Sequence, residues 1–263
     1  MTPMVRRDKT NYVIQSVAHA LDVLEQFFGD VDELGVTELS KRLKLHKNNV
    51  FRLLATLEAR NYIEQNKATE NYRLGIKCLL LGRRYIHHMG LVRQARPILS
   101  DLARKCRESS YVAILRRDGV VPLEASEPED RAVRITAPIG LTLPLHCTAA
   151  GKVHLAFDAE EQLRSTLPEN LKSFTERTII DRAQLLDELQ RVGRDGYAVD
   201  MGEFMEEVNS VAVPIRDYTR LVVGSLAVAG PGYRLAPERI TGEIAPALLD
   251  AGGELSRRLG YNE

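Results

Sequence analysis

Five cations and no acid fall between Leu39 and Leu57: Lys41, Arg42, Lys44, Lys47 and Arg52. Asn48 and Asn49 sit among them. Cations neutralise phosphate, and an Asn amide can pair bidentately with adenine, so this residue set suits a nucleic acid duplex. A second cluster follows Thr148. Ala149, Ala150 and Gly151 are small, and if they open a helix their amides carry partial positive charge that no side chain shields. A carboxylate or other anion can approach such an end, with Lys152 adding charge nearby. Both sets also fit plainer roles. A basic run can be a solvated helix face, an Asn pair can cap a helix, and Ala/Gly can serve close packing against a sheet.

The elements that must hold these residues follow from periodicity. Val17, Leu21, Leu24 and Phe28 form one apolar stripe of a helix starting at Ser16 and ended by Gly29 and the acidic run 30–33. Thr37 suits the cap of a second helix, with Leu39 and Leu43 on one face. A third helix starts after Lys44-Leu45-His46 and buries Val50, Leu53, Leu54 and Leu57. Two helices joined by a three-residue turn have helix-turn-helix spacing, and the first turn of the second helix is the part that meets base edges. Residues 62–64 and 72–74 are β-like and form a hairpin, a wing, carrying Lys67 and Arg73 near the DNA backbone.

Residues 76–88 read as a helix, and residues 92–107 as a longer one bent or restarted at Pro97. The texture then changes. Residues 111–115 and 120–124 read as strands around an Asp-Gly turn, and 131–136 as a further strand. Residues 148–157, 160–166 and 181–192 read as helices, 197–199, 211–215 and 221–229 as strands, and 237–259 as a closing helix. Mixed elements of this kind make an α+β domain of about 170 residues.

Composition sets outer bounds. The chain has 263 residues, 44% hydrophobic and 27% charged, typical of a folded globular protein. No apolar run reaches the roughly 18–20 residues of a membrane span. The opening MTPMVRRDKTNY lacks the apolar core of a secretory signal. Three cysteines without a CxxC pattern indicate neither a disulfide framework nor a structural zinc site, and fit a cytoplasmic protein. Residues 1–90 hold 14 Lys/Arg against 10 Asp/Glu. That excess points to a separate, anionic partner for the N-terminal part, although random scatter would also produce it.

The stretches TELSKRLKLHKNNVFRLLATLEARNYIEQ (37–65) and YRLGIKCLLLG (72–82) resemble the IclR family of bacterial transcriptional regulators. GLTLPLHCTAAGKVHLAF (140–157), GYAVDMGEF (196–204) and VNSVAVPIRD (208–217) resemble its effector domain. The resemblance runs from about Ser16 to the C-terminal helix. It implies an α+β chain of two domains: a winged helix-turn-helix (1–74), a linker helix (75–90) and a GAF-like α/β effector-binding domain (91–263). It also implies homodimers or dimers of dimers on palindromic operators. Lys41, Arg42, Lys47 and Arg52, with Lys67 and Arg73 of the wing, would hold phosphates of double-stranded operator DNA. Asn48 and Asn49 would meet bases.

The resemblance places the amides of Ala149, Ala150 and Gly151 on the acid group of a small organic effector. Asp200 would supply an acidic group and Ser210 stands where relatives often have Cys. Ala227 and Ala229 stand where relatives often have hydroxyls, and Leu145 and Ile135 would line the apolar side. This less polar floor suits a larger or more apolar organic acid, aromatic acids included. The chain departs from the family at Lys44, where a small turn residue is usual, at His46 (usually Pro), and at Asn48 and Asn49 (usually Ser/Thr). Lys44 is expected in a left-handed conformation, at a cost of about 1 kcal/mol against Gly.

No enzyme, cofactor or membrane partner is expected. A GAF-like thiol enzyme using Cys147 beside His146, and an interaction module without DNA binding, are the alternatives. No metal site is assigned, and metal near His146, Cys147 and His154 is left open.

Overall fold

The computed structural model describes residues 13–28, 31–88, 90–117, 119–157, 167 and 170–262. The chain divides into two compact units, Met1–Ile86 and His87–Glu263.

The first unit contains α1 (Gln15–Glu25), α2 (Val36–Leu43), α3 (Lys47–Ala59), the strands β1 (Ile63–Gln65) and β2 (Tyr72–Leu74), and α4 (Ile76–His88). Its core is Val23, Phe27, Leu34, Leu39, Val50, Leu54, Leu57, Ile63 and Tyr72. The hairpin is antiparallel, with Ile63 opposite Leu74 and Gln65 opposite Tyr72. Leu34 exchanges two backbone hydrogen bonds of 2.9 Å with Tyr72, which ties the wing to the segment before α2.

Of the apolar stripe expected of α1, only Leu24 turns inward. Val17, Leu21 and Phe28 are exposed. Val23 and Phe27 enter the core, with Ala20 and Leu24 packed against it. The helix carries apolar residues on two sides, and periodicity finds a helix without deciding which side turns inward. The start of α2 also differs. It begins at Val36 behind Gly35 with no side-chain cap, so Thr37 lies inside the first turn.

The second unit begins with α5 (Gly90–Cys106). This helix runs through Pro97 without interruption, Pro97 being exposed. Five strands follow as one antiparallel sheet: β3 (Ser109–Arg116), β4 (Gly119–Ser126), β5 (Ala198–Met201), β6 (Val208–Arg216) and β7 (Val222–Pro231). Their order is β4-β3-β7-β6-β5. Helices α6 (Ala149–Phe157) and α7 (Arg182–Asp195) stand between β4 and β5 in the chain. A helical turn Pro237–Arg239, a π-helical segment Ile240–Ile244 and the closing helix α8 (Ala245–Arg258) end it. The helix expected over 160–166 lies outside the described residues.

Residues 131–136 form no strand. The outer edge of β4 is already occupied, because Val120 pairs with Leu143 and the Gly140 amide donates to the Pro122 carbonyl. Residues 131–136 are held by side chains instead: Arg134 and Thr136 both bond the Glu127 carboxylate. Gly119 is required by that same edge, since a Cβ there would lie 2.2 Å from the Leu143 carbonyl oxygen.

Candidate functional site

Helix α3 follows α2 after the turn Lys44-Leu45-His46. Lys44 has φ 54°, the left-handed conformation expected of that position. Ser40 closes the turn, its hydroxyl donating to the Leu45 carbonyl at 2.6 Å. His46 caps α3, its Nδ1 accepting from the Asn48 amide at 3.3 Å. With Val50, Leu54 and Leu57 buried, the 100° step per residue turns Asn48 and Arg52 to the opposite, solvent side. Asn49 and Arg52 line one wall of an open cleft of about 430 Å³ whose other wall is Ser16 and His19 of α1. The two Asn residues therefore face different surroundings.

Lys41, Arg42, Lys47, Asn48, Asn49, Arg52, Lys67 and Arg73 are all exposed. Two of these cations already have carboxylate partners: Arg42 with Glu38 at 2.9 Å and Arg73 with Glu64 at 2.6 Å. Among the described residues, Lys41, Lys47, Arg52 and Lys67 form no ion pair. Exposed pairs contribute little to stability, so Arg42 and Arg73 can exchange carboxylate for phosphate at small cost.

In the second unit, Thr148 caps α6 as its sequence position suggests. Its hydroxyl accepts from the Gly151 amide at 3.1 Å and donates to the Pro144 carbonyl at 2.6 Å. The Gly151 amide is thus already engaged. The amides of Ala149 and Ala150, at the first helical positions, have no partner within the helix. Gly151 serves close packing, because an added Cβ would sit 2.3 Å from the Leu145 carbonyl oxygen.

Lys152 does not add free charge to this end. It is fully buried, and its Nζ donates to Glu203 Oε1 at 2.5 Å and the Val199 carbonyl at 2.9 Å, with Glu188 at 3.4 Å. Glu188 is in turn held by Arg191 at 2.7 Å. Glu203 is a partner that sequence reasoning missed. A lysine among small apolar residues signals that a partner is needed, but nothing local says where it lies in the chain.

The sheet register lines up the rest. Asp200 stands opposite Ser210, Ser210 opposite Ala229, and Ala229 opposite Ser109. On the same face the next row is Ala198, Ala212, Ala227 and Tyr111. Leu145, Ala149, Ala150, Ala227 and Ala229 share one buried cluster, against which Ile135 packs. Asp200 Oδ1 accepts from the Glu203 amide at 2.7 Å, and Ser210 Oγ is 3.4 Å from Oδ2. Burial raises the Asp200 carboxyl to about 7. Burial first, and then the Asp200 charge, push the Tyr111 phenol well above its ordinary value. Tyr111, also missed from the sequence, therefore adds a neutral hydroxyl to this face.

The thiol alternative loses its chemical basis. Cys147 is fully buried, and that burial, reinforced by Asp200 and Glu203, pushes its thiol up to about 12. A nucleophilic thiolate needs the opposite shift. His146 bonds the Lys172 carbonyl at 2.9 Å, and burial lowers its pKa. No group of three metal-ligating side chains occurs among the described residues. Nor is any helix among them long and apolar enough to cross a membrane.

Comparison with known proteins agrees with both halves. Residues 16–67 match the IclR helix-turn-helix domain, and residues 83–257 match the bacterial transcriptional regulator IclR C-terminal domain. The HTH-type transcriptional regulator KdgR of Escherichia coli is 32% identical over 257 residues, covering 97% of each chain. The crystal structure of an IclR-type regulator from Alicyclobacillus acidocaldarius is 28% identical, with TM-score 0.85, covering 95% of this chain and 100% of the other. An IclR homologue from Microbacterium hydrocarbonoxydans complexed with 4-hydroxybenzoate shares the fold at 24% identity, with TM-score 0.83, over 93% and 99% of the two chains.

Proposed function

Since the chain belongs to the IclR family of bacterial transcriptional regulators, we propose that α3 docks in the major groove of operator DNA and that an organic acid bound in the second unit controls that docking. The DNA-binding role is the family's. Lys41, Arg42, Lys47 and Arg52 hold phosphates, with Lys67 and Arg73 doing so from the wing. Asn48 meets a base edge, and Asn49 serves the groove wall beside α1.

One observation carries the DNA half: an exposed basic stretch from Leu39 to Leu57 without an acidic residue, on which Lys41, Lys47 and Arg52 form no ion pair among the described residues. Charge left unpaired beside two Asn amides matches a duplex, whose phosphates set affinity and whose base edges set sequence. A gel-shift titration on the intergenic DNA next to the chain's own gene tests it. Affinity should fall steeply with salt, and Asn48→Ala should change base preference. Absence of binding even in dilute buffer overturns the reading.

For the second unit, the effector enters over the face bearing Ala227, Ala229, Ser210 and Asp200. Its carboxylate meets the amides of Ala149 and Ala150, and Leu145 and Ile135 flank its apolar body. Alanines at 227 and 229 leave room and offer no hydroxyl, which favours a larger or more apolar acid. A thermal-shift panel spanning pyruvate, glyoxylate and aromatic carboxylates such as 4-hydroxybenzoate checks this. Stabilisation by the two- and three-carbon oxo acids alone contradicts it.

The regulator works in the cytoplasm as a dimer or dimer of dimers. Support comes from unpartnered apolar side chains on two helices of the first unit, Val17 and Leu21 on α1 and Ile76, Leu79 and Leu80 on α4. Ligand and DNA are linked only if the effector prefers one arrangement of the helices over another, with α4 as the coupling element.

A further inference from the structure

We infer that Phe51 reads the methyl group of thymine in the major groove, an assignment that rests on α3 being the helix that enters it. The other large apolar residues of α3 all turn inward. Val50, Leu54 and Leu57 belong to the core, and Leu53 packs against it. Phe51 belongs to neither group and is 55% exposed. Its place on the helix is defined by the 100° step: it shares a stripe with Asn48 three residues before and Ala55 four residues after. All three are exposed. The stripe thus offers an amide, an aromatic ring and a methyl side by side.

The major groove presents one apolar group, the thymine C5-methyl, beside donors and acceptors that an Asn can read on adenine. An exposed ring next to Asn48 matches an A·T-containing step on both counts. Charge decides against the other occupant, a second copy of the same surface. Lys47 and Arg52 flank Phe51, both exposed and without a carboxylate partner among the described residues. Two such surfaces would bring like charges together, whereas a duplex brings phosphates. The exposed apolar residues of α1 and α4 remain for contact between copies.

The test removes one methyl at a time. Full-length protein selects tight-binding duplexes from a random library, and each thymine of a selected duplex is then replaced singly by deoxyuridine. Wild type should lose about fourfold in affinity at one or more positions, the value of one buried methyl. Phe51→Ala should bind the thymine and uracil duplexes equally there, measured at low ionic strength where phosphate contacts keep it bound. Because Phe51 lies outside the core, the variant keeps the wild-type unfolding midpoint. Indifference of wild type to every replacement overturns the inference, as does an undiminished penalty in Phe51→Ala. A library from which wild type selects nothing overturns the reading of α3 itself, and the inference with it.

Discussion

The two units treat charge in opposite ways. On α2 and α3, Lys41, Lys47 and Arg52 stand in solvent and form no ion pair among the described residues. In the second unit Lys152 is enclosed against Glu203 and Glu188. There too Glu108, fully buried, is gripped by Arg234 at 2.6 Å and Arg239 at 3.1 Å. A buried charge needs its counter-charge within the same molecule, because desolvation otherwise costs several kcal/mol. An exposed cation has no such need and can wait for a partner from outside. The contrast separates charges paired inside the fold from charges left open to a partner outside it.

The largest effect should come from breaking an internal pair. Lys152→Met leaves Glu203 buried without its counter-charge, and unfolding by denaturant should show a loss of about 3–5 kcal/mol. The double variant Lys152→Met with Glu203→Gln should recover much of it. If the single variant unfolds like wild type, the pair does not hold the unit and the contrast fails.

Asp200 sharpens the contrast through pH. Its native carboxyl is raised to about 7, above its ordinary value. The native state therefore holds a proton that the unfolded chain has released. Its stabilising contribution is full below about pH 4 and is lost as pH rises towards 7. Asp200→Asn should flatten the stability of the second unit across that window, read as unfolding midpoints at a series of pH values.

On the exposed side, Arg52→Ala should leave stability unchanged. It should weaken every duplex alike by about tenfold near 0.1 M salt and reduce the salt slope by about 0.9. A sequence-dependent loss would move Arg52 from phosphate to base. The smallest effect is expected at the turn. Lys44→Gly relieves a left-handed non-glycine residue and should raise the unfolding midpoint by the equivalent of about 1 kcal/mol.

The first unit was the more legible in sequence. Its helices are amphipathic and its turn chemistry is local, so α2, the turn, α3 and the hairpin follow from neighbouring residues. What stayed hidden was a choice between equals, as for α1, where Val17 and Val23 read alike until the core takes one. In the second unit the strands could be found but not their partners. The row from Asp200 through Ser210 and Ala229 to Ser109 joins three consecutive strands to β3, which lies some hundred residues earlier in the chain. For the same reason residues 131–136 looked like a strand: their alternation is real, but the edge they would have joined belongs to Leu143. Lys152 illustrates the limit most clearly, since its counter-charge Glu203 lies 51 residues away.

Within α3 the inward residues Val50, Leu54 and Leu57 and the outward residues Asn48, Phe51 and Arg52 occupy separate positions. With α3 as the proposed reading helix, the address it spells can be rewritten without touching its foundation. After gene duplication, a few exchanges on the outer side would then send a daughter protein to new promoters while its scaffold stayed intact.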